Sequence, residues 1–289
     1  MLKIIFLFLF WNTTHSLAMQ SPRIPEAQWR VEDYPSNYHV EISRKILSQL
    51  QREIKDAKNV WHCGCKNGAV TKVLQEYIAP GAEVWATEHP SAHLLVNLAA
   101  KEYSGVRYVC SDYPVYNSSY DLIFSLHHLH WIKDKKQFLN SIYETLARDG
   151  LALIVMRHIE APENPIAEWQ ALIPAIFKYV PHGVELDNDL IGMYAVHDDE
   201  MMKLVEETGF EQISIGTFEH TFCLRSEQEF YHLSRPSFMS RPIVQYVEDA
   251  EERENLFLDM VGNAPELVDI RENGKTECTV SYMVTKLRK

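Results

Sequence analysis

The chain has 289 residues, 46% of them hydrophobic and 24% charged, with a formal charge of −12. That length can bury the core of one large α/β domain. The acidic balance leaves no basic footprint for nucleic acid and argues against anionic membranes, so the default partner is a small molecule.

The first twenty residues, MLKIIFLFLFWNTTHSLAMQ, hold one lysine, an apolar run from Ile4 to Trp11 and a small-residue end before Met19. Residues 1–18 read either as a secretory signal peptide cleaved near Ala18, giving a secreted protein, or as upstream sequence before a start at Met19, giving a cytoplasmic one. The run is too short to span a bilayer as a helix, so no stable membrane insertion is expected. The five cysteines (63, 65, 110, 223 and 278) are scattered and odd in number, which favours a reduced compartment.

Beyond the leader, YHVEISRKILSQLQREI (38–54) places apolar residues at helical spacing. KNVWHCGC is a short buried strand, GAVTKVLQEYIAPG a helix stopping at Pro80-Gly81, AEVWATE a second strand and SAHLLVNLAAKEY a helix opened by Ser91. VRYVCSD and YDLIFSLHHLHWI follow as strands three and four, then KKQFLNSIYETLARDG as a helix closing on its glycine, and LALIVMRH as strand five. Strands alternating with helices at this rhythm predict a doubly wound, mostly parallel α/β sheet. HDDEMMKLVEETGF adds a helix, and EQISIGTFEHTFCL and a last strand over 277–288 bring the sheet to seven strands. The stretches 159–196 and 226–266 read as helical lid segments over the ligand end, rather than as an independent domain.

In such sheets ligands bind beyond the carboxyl ends of the strands. Gly64 to Gly68 follow strand one, Glu88 ends strand two, Asp112 ends strand three, and Ser125 to Trp131 end strand four. Cys63 and Cys65 are separated by a single residue, tighter than zinc pairs require, and no metal site is expected. A nicotinamide dinucleotide would ask for Gly-x-Gly-x-x-Gly after strand one, which the chain lacks.

Taken in order, residues 60–68, Glu88, Ser111-Asp112, YDLIFSLHHLHW and LARDGLALI resemble a class I S-adenosylmethionine-dependent methyltransferase of the small-molecule group, which includes trans-aconitate and juvenile-hormone-acid methyltransferases. The resemblance covers residues 30–158 well, and implies a Rossmann-like methyltransferase domain over 19–289 with 30–158 as its cofactor-binding half. It implies S-adenosyl-L-methionine as cofactor, with Gly64, Cys65 and Gly68 lining its methionine part and Glu88 accepting the ribose hydroxyls. Asp112 would meet the adenine amino group, with Tyr113 beside the ring, and Ser125 would lie where the strand-four segment passes the methyl sulfonium. It also implies that the segment holding Tyr34 and Tyr38 folds over the cofactor.

Two positions depart from the family pattern. His62 stands where an aspartate is usual, and Lys66 where the middle loop glycine is usual. Lysine in a glycine conformation would be strained. Either the loop has an ordinary backbone with the lysine outward, or the cradle is damaged, or the ammonium meets the cofactor's carboxylate. His62 could donate to the ligand. The chain therefore reads as a methyltransferase acting on a small carboxylate or hydroxyl acceptor, or as an inactive methyltransferase-like binding protein. A carboxylate acceptor is ionised at neutral pH and needs no base, whereas a hydroxyl would use a histidine. His128, His130 and Trp131 are the catalytic candidates, strand alternation sending His128 and His130 to one face and His127 to the other. Arg157-His158 could hold an acidic substrate.

Overall fold

The computed structural model describes residues 36–89, 93–114, 119–158, 194, 196–231, 247, 249–262 and 265–289. The leader, Tyr34, Ser91, nearly all of the first expected lid segment and residues 232–246 of the second lie outside the described residues. Among the described residues, no helix is long and apolar enough to cross a membrane.

Short apolar runs form the first strands: β1 (Asn59–Cys63), β2 (Glu83–Glu88), β3 (Val106–Cys110) and β4 (Tyr120–Leu126). The longer β5 (Leu146–Arg157), β6 (Gln212–Leu224) and β7 (Thr276–Arg288) complete a seven-stranded sheet of order β3-β2-β1-β4-β5-β7-β6. Pairing is parallel from β3 through to β5, and β7 runs antiparallel to both of its neighbours. This is the doubly wound, mostly parallel architecture that the sequence predicts. β1 lies between β2 and β4, so the strand order reverses beside the loop that follows it.

The sheet is covered on both faces because its strands alternate. Leu122, Phe124 and Leu126 of β4 join Ile42, Ile46 and Leu50 of α1 (Ser36–Ile54) and Leu74 of α2 (Ala69–Gln75) in one core. Ile123 faces the other way, with Trp61 and Cys63, against Phe138 and Ile142 of α4 (Lys135–Thr145) and Met201 and Val205 of α5 (Asp198–Thr208). α3 (His93–Glu102) follows β2, while α6 (Ala250–Val261) and α7 (Pro265–Asn273) precede β7. Asp134 caps α4 by accepting the Gln137 amide at 2.8 Å. Three acidic residues, Asp198, Asp199 and Glu200, occupy the first turn of α5, where the helix dipole favours them.

Three predicted boundaries move. α2 ends at Gln75, short of Pro80. α4 closes at Thr145 rather than at Gly150, because Leu146 already turns extended and pairs with Tyr120, drawing the Ala-Arg-Asp-Gly run into β5. β4 stops at Leu126, and Leu129–Trp131 form a single 3₁₀ turn. His127, with φ of 53°, leaves the extended region and ends the strand there.

Candidate functional site

The loop from β1 to α2 turns its backbone donors towards the tip of β2. The amides of Gly64 and Cys65 both donate to the Thr87 carbonyl, at 2.9 and 3.0 Å, and the Lys66 amide donates to Glu88 Oε2 at 2.8 Å. Gly64 has φ of 80°, and a Cβ there would lie 2.7 Å from the Cβ of His128. Glycine is therefore required both by the backbone and by the approach of the turn after β4.

Lys66 departs from the first of its three expected arrangements, an ordinary backbone with the side chain outward. Its backbone is left-handed, φ 48°, as the glycine it replaces would allow, yet its side chain is not turned outward. Nζ lies 3.2 Å from His39 Nε2 on α1. Desolvation of the ammonium, partly offset by Glu88, pushes Lys66 down to about 8.

Glu88 is only 8% exposed, and its second oxygen accepts the His89 amide at 3.0 Å. Register pairs Glu88 with Cys110, two residues before Asp112, so the two carboxylates share the end of the sheet. His128 sits between them, Nδ1 3.8 Å from Glu88 and Nε2 4.0 Å from Asp112. Burial lowers its pKa against the pull of both acids. His89 stands on the outer side, 3.6 Å from Asp112. Ser125 is fully buried at the end of β4, in register with Cys63. Tyr113 donates its hydroxyl to Gln137 on α4 at 3.1 Å, which fixes its ring beside the tip of β3.

Four buried polar atoms here have no hydrogen-bond partner among the described residues: Asp112 Oδ1, Ser125 Oγ, His128 Nε2 and His62 Nε2. Buried polar atoms are rarely left unpaired, and such a concentration at the strand tips suits a polar ligand. With Glu88 beside them, Asp112, Ser125 and His128 offer two carboxylates, a hydroxyl and an imidazole, a set that fits the hydroxyls and amine of a nucleoside. Cys65 adds no charge, since burial holds its thiol well above the usual range.

His62 binds inward instead. Its Nδ1 lies 2.7 Å from Thr71 Oγ1 on α2, and its ring stacks on Phe124 at 5.4 Å. Burial, reinforced by His128 and Lys66, pushes its pKa down to about 3. The folded state thus binds fewer protons than the unfolded chain between about pH 6.5 and pH 3. Stability from a neutral His62 is complete above pH 6.5 and is lost as pH falls towards 3. Urea midpoints measured from pH 7 to pH 4 are expected to fall steeply, and His62→Gln to flatten the slope; an unchanged slope would contradict this assignment.

The histidine run is sorted differently from the alternation expected of a strand. His128 faces the carboxylates, whereas His127 and His130 come together, with ring centroids 6.1 Å apart. The cause is the left-handed turn at His127, which replaces period two. His127 meets His39 at 4.8 Å and Tyr282 of β7 at 5.1 Å, while His130 packs on Trp131 at 4.8 Å. Burial first, then His39, Lys66, His130 and Arg157, lowers the His127 pKa well below its ordinary value. His158, expected near an acidic substrate, pairs with Asp198 of α5 at 3.1 Å. His39 and His89 carry no sequence signal of their own, the first being one polar residue in an amphipathic helix and the second following a strand end.

A family profile described as "Methyltransferase domain" matches residues 61–152, from β1 into β5. The malonyl-(acyl-carrier protein) O-methyltransferase of Bacillus anthracis is 25% identical over 125 residues, covering 42% of this chain and 46% of that protein. Among solved structures, one described as a candidate methyltransferase of Bacillus halodurans superposes with a TM-score of 0.53 at 14% identity, over 85% of this chain and 98% of that one. The YcgJ protein of Bacillus subtilis gives 0.51 at 13% identity, over 87% and 98%. Strand order, matched segment and relatives agree: residues 61–152 match a methyltransferase domain, and the fold is similar to that of structures described as methyltransferases.

Proposed function

We propose that the chain transfers a methyl group from S-adenosylmethionine to a small-molecule acceptor, a carboxylate or a hydroxyl. The carrying observation is the set of buried atoms on Asp112, Ser125 and His128 that make no hydrogen bond among the described residues, beside Glu88 and at the point where the strand order reverses. Bound cofactor would supply an electrophilic methyl group on a sulfonium. The chain's own part is then alignment and exclusion of water, which is most of what such a displacement asks.

In this reading Glu88 accepts the ribose hydroxyls and Asp112 Oδ1 an exocyclic amine, with Tyr113 beside the base. Gly64, Cys65 and Gly68 shape the cradle. His128, neutral and wedged between the two acids, belongs to cofactor binding rather than to proton transfer. His130, with Trp131 as an aromatic wall, is left as the candidate base for a hydroxyl acceptor.

A second reading, a methyltransferase-like binding protein without activity, is favoured by one observation, the Lys66 ammonium held against His39 of α1 rather than turned outward. Isothermal titration of the full chain with S-adenosylmethionine separates the two. Micromolar binding is expected, and a folded protein that evolves no heat would favour the inactive scaffold.

A further inference from the structure

Among the described residues, two that are not glycine hold left-handed backbones: Lys66 and His127. They lie on different loops, yet both side chains meet His39 on α1, Lys66 through Nζ at 3.2 Å and His127 ring to ring at 4.8 Å. Left-handed conformation costs an ordinary residue about 1–2 kcal/mol, so two such residues converging on one partner mark a constrained position. Lys66 also spans the site. Its amide is bonded to Glu88 on the β2 side, while its ammonium reaches towards α1 and the turn after β4. Lys66 thus links Glu88 at the tip of β2 with His39, which His127 after β4 also meets.

We propose that Lys66 makes the site selective by charge between the methyl donor, a sulfonium cation, and its demethylated by-product, a neutral thioether. Its ammonium opposes the first and is indifferent to the second. The inference rests on the cofactor reading above and goes beyond it, because the two ligands share every other group.

The surroundings give the ammonium little to offset a second positive charge. Glu88 acts on it electrostatically from β2, His39 meets it from α1, and His62 of β1 and His127 and His128 after β4 are the other titratable groups that feel its charge. Burial keeps His62, His127 and His128 neutral, so of these four groups it is Lys66 whose charge changes near pH 8. Its contact with His39 persists in either state with roles exchanged. An ammonium donates to the imidazole lone pair, and a neutral amine accepts from the imidazole N–H. Protonation therefore alters the charge of the site without dismantling it.

The test is isothermal titration of the full chain with S-adenosylmethionine and with S-adenosylhomocysteine from pH 6.5 to pH 8.5. The ratio of donor to by-product affinity is expected to rise by five-fold or more, and by up to about twenty-fold if the bound donor fully excludes the ammonium. In Lys66→Gly the rise disappears, and in Lys66→Arg the ratio stays low throughout. Glycine suits the left-handed backbone, so this variant is expected to fold. Ligand amino groups titrate in every variant, so the difference between wild type and Lys66→Gly isolates the lysine. A wild-type ratio that tracks the glycine variant overturns the proposal. So does an equal loss of both ligands in Lys66→Gly, which would make Lys66 an anchor for the carboxylate they share. If neither ligand binds any of the three proteins, the cofactor reading falls and takes the proposal with it.

Discussion

Replacing Glu88 by alanine is expected to abolish measurable S-adenosylmethionine binding, a loss of at least about a hundred-fold. The carboxylate is buried at the tip of β2, and each of its oxygens already accepts one backbone amide, from Lys66 and from His89. A carboxylate has about four acceptor positions, so capacity for two ligand hydroxyls remains. Hydrogen bonds to a charged partner contribute about 1.5–3 kcal/mol each, and two of them together account for the expected factor. Truncation would also free the Lys66 amide and let the left-handed turn relax. Glu88→Gln separates these effects in part: its amide oxygen keeps an acceptor for the Lys66 amide, while the charge and the acceptor for the His89 amide are lost. It is expected to bind about ten- to a hundred-fold more weakly than wild type. Both variants are expected to remain folded, with Glu88→Ala melting lower because the Lys66 and His89 amides lose their acceptor. Retained affinity in a folded Glu88→Ala protein would remove the central support for the proposed cofactor.

Gly68→Ala should damage the fold as well as the site. Gly68 has φ of 84°, and a Cβ there would lie 2.7 Å from the Tyr108 hydroxyl, 2.7 Å from the Tyr103 ring and 2.9 Å from Ala99 Cβ. These neighbours belong to β3 and to the end of α3, so the loop, the third strand and its preceding helix close on one small volume. Left-handed strain of about 1–2 kcal/mol is joined by overpacking that commonly adds about 1–3 kcal/mol. A destabilisation of about 3 kcal/mol follows, read as a drop in Tm on the order of 6–12 °C for a domain of this size. A melt within 2 °C of wild type, as a rough threshold, would mean that the loop is free to move and that the close packing at Gly68 is not stabilising.

Much of this architecture is written locally. Runs such as Val60-Trp61 and Leu122-Ile123-Phe124 are too short and too apolar for anything but buried strands, and the amphipathic segments between them can bury one face only against a sheet. Their alternation makes the sheet parallel, and a parallel sheet places its ligand at the strand tips. The place of Glu88 and Asp112 at strand tips was therefore legible from the sequence alone, and the order of the motifs pointed to the methyltransferase domain that residues 61–152 match.

Tertiary structure decided what single dihedrals and distant contacts control. The Ser-Leu-His-His-Leu-His-Trp run alternates like a strand, but one left-handed residue at His127 ends the strand and sends His128 to the acids and His130 to Trp131. His62 looked like a ligand contact at the end of a strand, yet Thr71 and Phe124 bind its ring within the core. Lys66 and His39 lie 27 residues apart and meet because α1 packs over the tips of β1 and β4. Sequence periodicity reports which face of an element is buried. It carries no record of which buried partner waits on that face, because that depends on how separate elements dock.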